Sequence, residues 1–162
     1  MDTNKRAGLG DPHSFANLDE VIAGHASLDL KVDFNTKTLS GTCTWTLNRR
    51  ATCDSLVLDT RDLTIHNVYQ DDGTPCAFSL GAKHETFGQA LTIKLPKNAK
   101  KILISYTTSP EAAALQWLDP QQTAGEDPFL FSQSQAILAR SWVPCQDAPG
   151  VKFTYDAKIT CP

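Results

Sequence analysis

The four histidines of this chain, His13, His25, His66 and His84, are the first candidates for chemistry. A zinc-binding helix of the zincin type needs two histidines four residues apart, so that both imidazoles lie on one face, with a glutamate between them as general base. His84-Glu85 starts that pattern, but Gly88 stands where the second histidine belongs. The segment reads instead as a surface turn between strands. Cys43, Cys53, Cys76, Cys145 and Cys161 are an odd set with no C-x-x-C pair, which points to reduced structural thiols and a cytoplasmic location rather than to zinc or redox chemistry. Cys145 lies in Pro144-Cys145-Gln146-Asp147 with no evident base or helix N-terminus to lower its pKa. There is no G-x-S-x-G elbow and no Gly-rich phosphate loop. No catalytic and no metal-binding residue is therefore assigned.

The stretch from Asp127 to Pro149 is different. It opens on an aromatic, strand-like run, Phe129-Leu130-Phe131, and continues through Ser132, Gln133, Ser134 and Gln135. On an extended chain Gln133 and Gln135 project from the same side. Two carboxamides on one face offer donors and acceptors to a small polar ligand without adding charge, and a carboxamide oxygen suits an ammonium group. The residues alone leave a second reading open, in which both glutamines are solvated strand positions.

The elements that would carry these residues have a period of two. Leu28, Leu30, Val32 and Phe34 alternate with polar residues, Asn35-Thr36-Lys37 supplies a turn, and Leu39, Cys43, Trp45 and Leu47 form the apolar side of the next run. That is a β-hairpin with one wet face. Further short runs lie at Ser55–Asp59, Leu63–Tyr69, Cys76–Leu80, Ala90–Leu95, Lys101–Thr107 and Val151–Ile159, with turn signals such as Asp71-Asp72-Gly73-Thr74-Pro75 between them. Roughly eight short strands at this spacing predict an all-β fold, a saddle-like antiparallel β-sandwich. Helical turns are expected only in Pro110–Leu118, where good helix formers follow a proline, and over one turn in Leu18–Ala23.

At 162 residues the chain is one domain, preceded by a polar, flexible leader over residues 1–10. A hydrophobic fraction of 41% and a charged fraction of 20% mark a globular chain, and a net charge of −3 argues against a nucleic-acid surface. No apolar run approaches the about 20 residues of a membrane span, and no apolar segment follows the N-terminal Lys-Arg pair to make a secretory signal. The expected partners therefore include neither nucleic acid nor membrane.

Several collinear motifs carry a resemblance. Gln133-Ser134-Gln135-Ala136, then Arg140, then Pro144-Cys145-Gln146-Asp147-Ala148-Pro149 resemble the N-terminal domain of gluzincin-class zinc aminopeptidases, in the branch of leukotriene-A(4) hydrolase and its bacterial aminopeptidase relatives. Asp11–Ala16, Leu56–Thr60, Asp62–Ile65 and Ala114–Leu118 match as well, so the resemblance covers residues 11–162. It implies an all-β, saddle-like domain packed over a separate catalytic domain that carries the zinc. It also implies that Gln135 contacts the α-amino group of a peptide substrate, with Ala136 beside it and Gln133 lining the same pocket. Arg140, Pro144, Asp147 and Pro149 would be architectural, fixing that strand's exit toward the cleft.

The zinc ligands, catalytic glutamate and transition-state tyrosine of the resembled family would lie beyond Pro162. The expectation is thus an isolated, substrate-positioning domain, inert by itself, with no cofactor of its own and with the absent catalytic zinc domain as its partner. Self-association through the exposed docking face is a further expectation. Two alternatives stay open: a stand-alone protein- or carbohydrate-binding module, and pairing in trans with a separately made catalytic fragment.

Overall fold

A computed structural model describes residues 10–50 and 53–162. The leader lies outside the described residues except for Gly10, which is exposed. The long hairpin forms as its alternation predicts, from β1 (Val21–Asp33) and β2 (Thr38–Arg49). Val21, Ala23, Ala26, Leu28, Leu30 and Val32 of β1 are buried, and so are Leu39, Cys43, Trp45 and Leu47 of β2. A register shift between Ala23 and His25 moves the buried positions of β1 from odd to even numbers, as expected of a β-bulge.

The strands that follow are β3 (Ser55–Thr60), β4 (Thr64–Gln70), β5 (Phe78–Leu80), β6 (Gln89–Lys94), β7 (Lys101–Thr107), β8 (Leu115–Leu118), β9 (Phe129–Ser132) and β10 (Thr154–Thr160). They form a five-stranded sheet in the order β10-β1-β2-β7-β4, a three-stranded sheet β3-β6-β5 and the β8-β9 hairpin. Trp45, Ile102, Ile104 and Tyr106 of the larger sheet share one core with Leu56, Leu58, Leu91 and Ile93 of the smaller. This is the layered all-β architecture expected of such alternation, each sheet burying the apolar face of the other.

Three expectations need correction. The sandwich is not wholly antiparallel, because β10 runs parallel to β1; the long chain between them allows the crossover that a parallel pair needs. Its seven residues are all exposed. The Pro110–Leu118 stretch is not helical: it turns over residues 110–114, and Leu115–Leu118 is strand β8, paired with β9. Tertiary pairing and the burial of Ala112, Ala114 and Leu115 override the local helix preference. Finally, Leu18–Glu20 forms a turn and β1 begins directly at Val21. The only helical elements among the described residues are single 3₁₀ turns at Pro120–Gln122 and Ala139–Ser141.

Candidate functional site

The β8-β9 hairpin delivers the chain to the site. Strand β9 stops at Ser132. Gln133 extends the ladder by one bond, its N–H donating to Ala114 O at 2.8 Å. The chain then leaves the sheet in a turn over residues 135–138, closed by Leu138 N–H donating to Ser134 O at 3.0 Å. Gln133 and Gln135 therefore do not share one side of a strand. Instead the Gln133 side chain folds onto the turn, its Oε1 accepting from Gln135 N–H at 3.0 Å. The Gln135–Ala136 peptide bond is cis. Gln133, Gln135 and Ala136 are brought together, all exposed, at the tip of this turn. Ser134 points back, its Oγ accepting from Trp142 Nε1–H at 3.1 Å.

What holds the turn is buried beneath it. Arg140 is 0% exposed. Its Nε donates to Asp147 Oδ2 at 3.0 Å, Nη2 to Asp147 O at 2.9 Å and Nη1 to Phe87 O at 2.9 Å. Asp59 Oδ1 lies 3.7 Å from Nη1. The Asp59 carboxylate also accepts from Ser14 Oγ–H at 2.6 Å, Phe15 N–H at 2.7 Å and Asp147 N–H at 3.0 Å. Burial pushes the Asp59 carboxyl above its ordinary value, while these donors and the guanidinium pull the other way. A buried charge survives when it is paired and fully hydrogen-bonded, and that condition is met here.

The segment from Pro144 to Pro149 ties the same network to the core. Trp45 Nε1–H donates to Pro144 O at 2.8 Å. Cys145 forms a two-way backbone bridge with Asp59. Burial drives the Cys145 thiol well above its ordinary pKa, which leaves it without thiolate character. Pro144 is buried and Pro149 exposed.

Sequence reasoning overlooked Gln146. It is 2% exposed, and its carboxamide accepts from Ala23 N–H at 2.9 Å and donates to Val21 O at 2.9 Å, filling the gap at the β1 bulge. It also gave Asp59 no role. A carboxylate closing the apolar run Ser55–Asp59 was the available signal, because such a group requires buried partners.

Among the described residues no three His, Cys, Asp or Glu side chains come together to hold a metal, and no helix is long and apolar enough to cross a membrane. His84 sits in an exposed turn closed by reciprocal backbone bonds with Gly88, its ring stacked on Phe87 at 4.4 Å. Beside the candidate turn lies an apolar cavity of about 380 Å³ lined by Ala26, Leu28, Trp142, Val143, Phe153 and Tyr155, among others.

Residues 22–162 match the peptidase M1 N-terminal domain. The chain is 42% identical over 159 residues to leucine aminopeptidase 2 of Yarrowia lipolytica, covering 96% of this chain and 24% of that protein. It is 40% identical over 161 residues to leukotriene A-4 hydrolase of Xenopus laevis, covering 95% and 26% respectively. The solved structure of yeast LTA4 hydrolase in complex with bestatin superposes with a TM-score of 0.88 at 33% identity, over 100% of this chain and 26% of that one. An M1 zinc metallopeptidase from Deinococcus radiodurans shares the fold, with a TM-score of 0.69 at 21% identity. The chain thus spans about a quarter of the length of the curated relatives it matches.

Proposed function

From the premise that this chain belongs to the peptidase M1 family, as its N-terminal domain, we propose that it serves as one wall of an aminopeptidase active site and positions the substrate. Gln135 Oε1 accepts a hydrogen bond from the free α-ammonium of a peptide, Gln133 lines the same pocket, and Ala136 leaves room beside it. An acceptor at the closed end of a cleft selects peptides with a free N-terminus, because a blocked one leaves that acceptor unpaired.

The observation that carries this reading is the contrast between tip and base. The Gln133–Ala136 tip is exposed, while Arg140, Asp59 and Asp147 hold its base in a largely buried hydrogen-bond network. Rigid support beneath exposed polar groups is what precise ligand positioning requires. Gln133 adds to the support by fixing the Gln135 backbone.

Family members are zinc metallopeptidases, and zinc supplies an activated water for peptide hydrolysis. The described residues offer no ligand set for it. In this reading the metal and general base belong to a catalytic domain, which is the expected partner, and this chain alone does not turn over substrate. Its place of action is the cytoplasm, as the unpaired thiols suggest.

The test is to mix the chain with a separately produced catalytic domain of a relative and follow hydrolysis of an aminoacyl anilide. The expected result is no turnover by the chain alone, with or without zinc, and turnover on mixing. Gln135→Ala should lower kcat/KM of the mixture about tenfold or more, the worth of a hydrogen bond to a charged group. Zinc-dependent turnover by the chain alone, or a mixture active but indifferent to Gln135→Ala, overturns the reading.

A further inference from the structure

The turn that carries Gln135 runs from Ser134 to Leu138, and each of its two ends is held by a side chain from the base. The ends are joined to one another by Leu138 N–H donating to Ser134 O at 3.0 Å. The far end is held by Ser141, which is 0% exposed. Its Oγ–H donates to Leu138 O at 2.7 Å, and its Oγ accepts from Ala114 N–H at 2.9 Å. Leu138 is thereby tied to the residue that precedes β8. The near end is held by Trp142, whose Nε1–H donates to Ser134 Oγ at 3.1 Å. Ser134 is half-buried, whereas Gln133, Gln135 and Ala136 around it are exposed.

Trp142 is itself fixed from below. It follows the 3₁₀ turn Ala139–Ser141, and its backbone N–H donates to Ala139 O at 3.0 Å. Within that turn the Arg140 guanidinium is bound to Asp147 and Phe87 O, and Arg140 O accepts from Arg61 N–H at 2.8 Å. The indole is half-buried beside Val143 and Phe153. A half-buried indole takes its orientation from the partner of its N–H, because leaving that donor unpaired is costly. Ser134 adjoins Gln135, so fixing Ser134 fixes where the Gln135 side chain begins. The other tie on Gln135 comes from Gln133, an exposed and rotamer-rich side chain that cannot fix the tip alone.

We propose that Trp142 is a positioning residue of the amine-binding tip. Acting through Ser134, it transmits the fixed geometry of the Arg140 network to Gln135. This rests on the role given to Gln135 above. A carboxamide already in place accepts an ammonium group without further ordering, whereas a loose tip must be ordered anew with each substrate.

Amide hydrogen exchange on the purified chain tests the tie directly. Trp142→Phe keeps a ring and removes the donor, and Ser134→Ala removes the acceptor. Each should speed exchange at Leu138 N–H about fivefold, the worth of one hydrogen bond, and leave the amides of β7 as they are. The double variant should exchange no faster than either single one, because only one bond is lost. The route through Gln135 is tested with the chain fused to the catalytic domain of a relative, by kcat/KM on an aminoacyl anilide. Trp142→Phe should lower kcat/KM about fivefold when Gln135 is present and change nothing in a Gln135→Ala background, where no carboxamide is left to position. A general weakening of the fold would lower both alike. Unchanged exchange at Leu138 in both single variants overturns the positioning role and leaves the reading of Gln135 intact. Faster exchange with an equal loss of kcat/KM in both backgrounds also overturns it. Faster exchange in an enzyme indifferent to Gln135→Ala overturns the reading of Gln135, and this inference with it.

Discussion

Arg140 shows how a single side chain sets the geometry of the site. Its guanidinium is spread over Asp147, Asp59 and Phe87 O with no contact to solvent. Arg140→Ala would strand Asp59 in the core without its cation, at a cost of about 3–5 kcal/mol, read as a lower urea midpoint. Arg140→Lys keeps the charge but not the planar fork, and should cost less than alanine while still loosening the turn. Asp156 supports a pH prediction of definite sign. The hydrogen bond from His25, and then that from Ser27, hold its carboxyl below the ordinary value of 3.8. A depressed folded pKa contributes stability that is complete above the unfolded value and lost as pH falls through the folded one. Asp156→Asn should therefore flatten the acid side of the melting-temperature profile below the ordinary aspartate range.

At the scale of elements, two short segments do more than their length suggests. The His84–Gly88 turn presents Phe87 O to Arg140. Gly88 there has a φ of 77°, and a Cβ would run into Thr60 O and Arg61. Gly88→Ala therefore combines a left-handed backbone with a backbone clash and should cost about 2 kcal/mol or more, read by chemical denaturation. Gln146 plays the matching part on the other side, its carboxamide completing the β1 bulge at Val21 and Ala23. Gln146→Ala leaves a buried N–H and a buried C=O unpaired, again about 2 kcal/mol or more, and should raise hydrogen exchange at Ala23 specifically.

At the scale of the whole molecule, both sheets share one buried core, while Phe129, Phe131, Phe153, Tyr155 and Ile159 are exposed. The proposal that the catalytic domain carries the zinc yields a further expectation. Saturating a tight site with zinc at about 1,000 times its dissociation constant would stabilise the fold by about 4 kcal/mol, whereas on that reading this chain should show no zinc-dependent rise in melting temperature by scanning calorimetry.

The alternation of Leu28 to Val32 and Leu39 to Leu47 was enough to specify strands, a hairpin and a layered β fold, because a period of two leaves one face to bury. The run from Gln133 to Pro149 was enough to indicate a family. Sequence alone could not place Gln133 and Gln135 on a turn rather than on one side of a strand, since where β9 stops depends on its partner β8, in a stretch whose local preference was helical. Nor could it join Ser14 and Asp59 to the Arg140–Asp147 pair, from which they are far apart along the chain and which they meet only when β3 packs beneath the turn. Local periodicity records which face of a strand is apolar. Which buried charge meets which is decided only when distant strands come together.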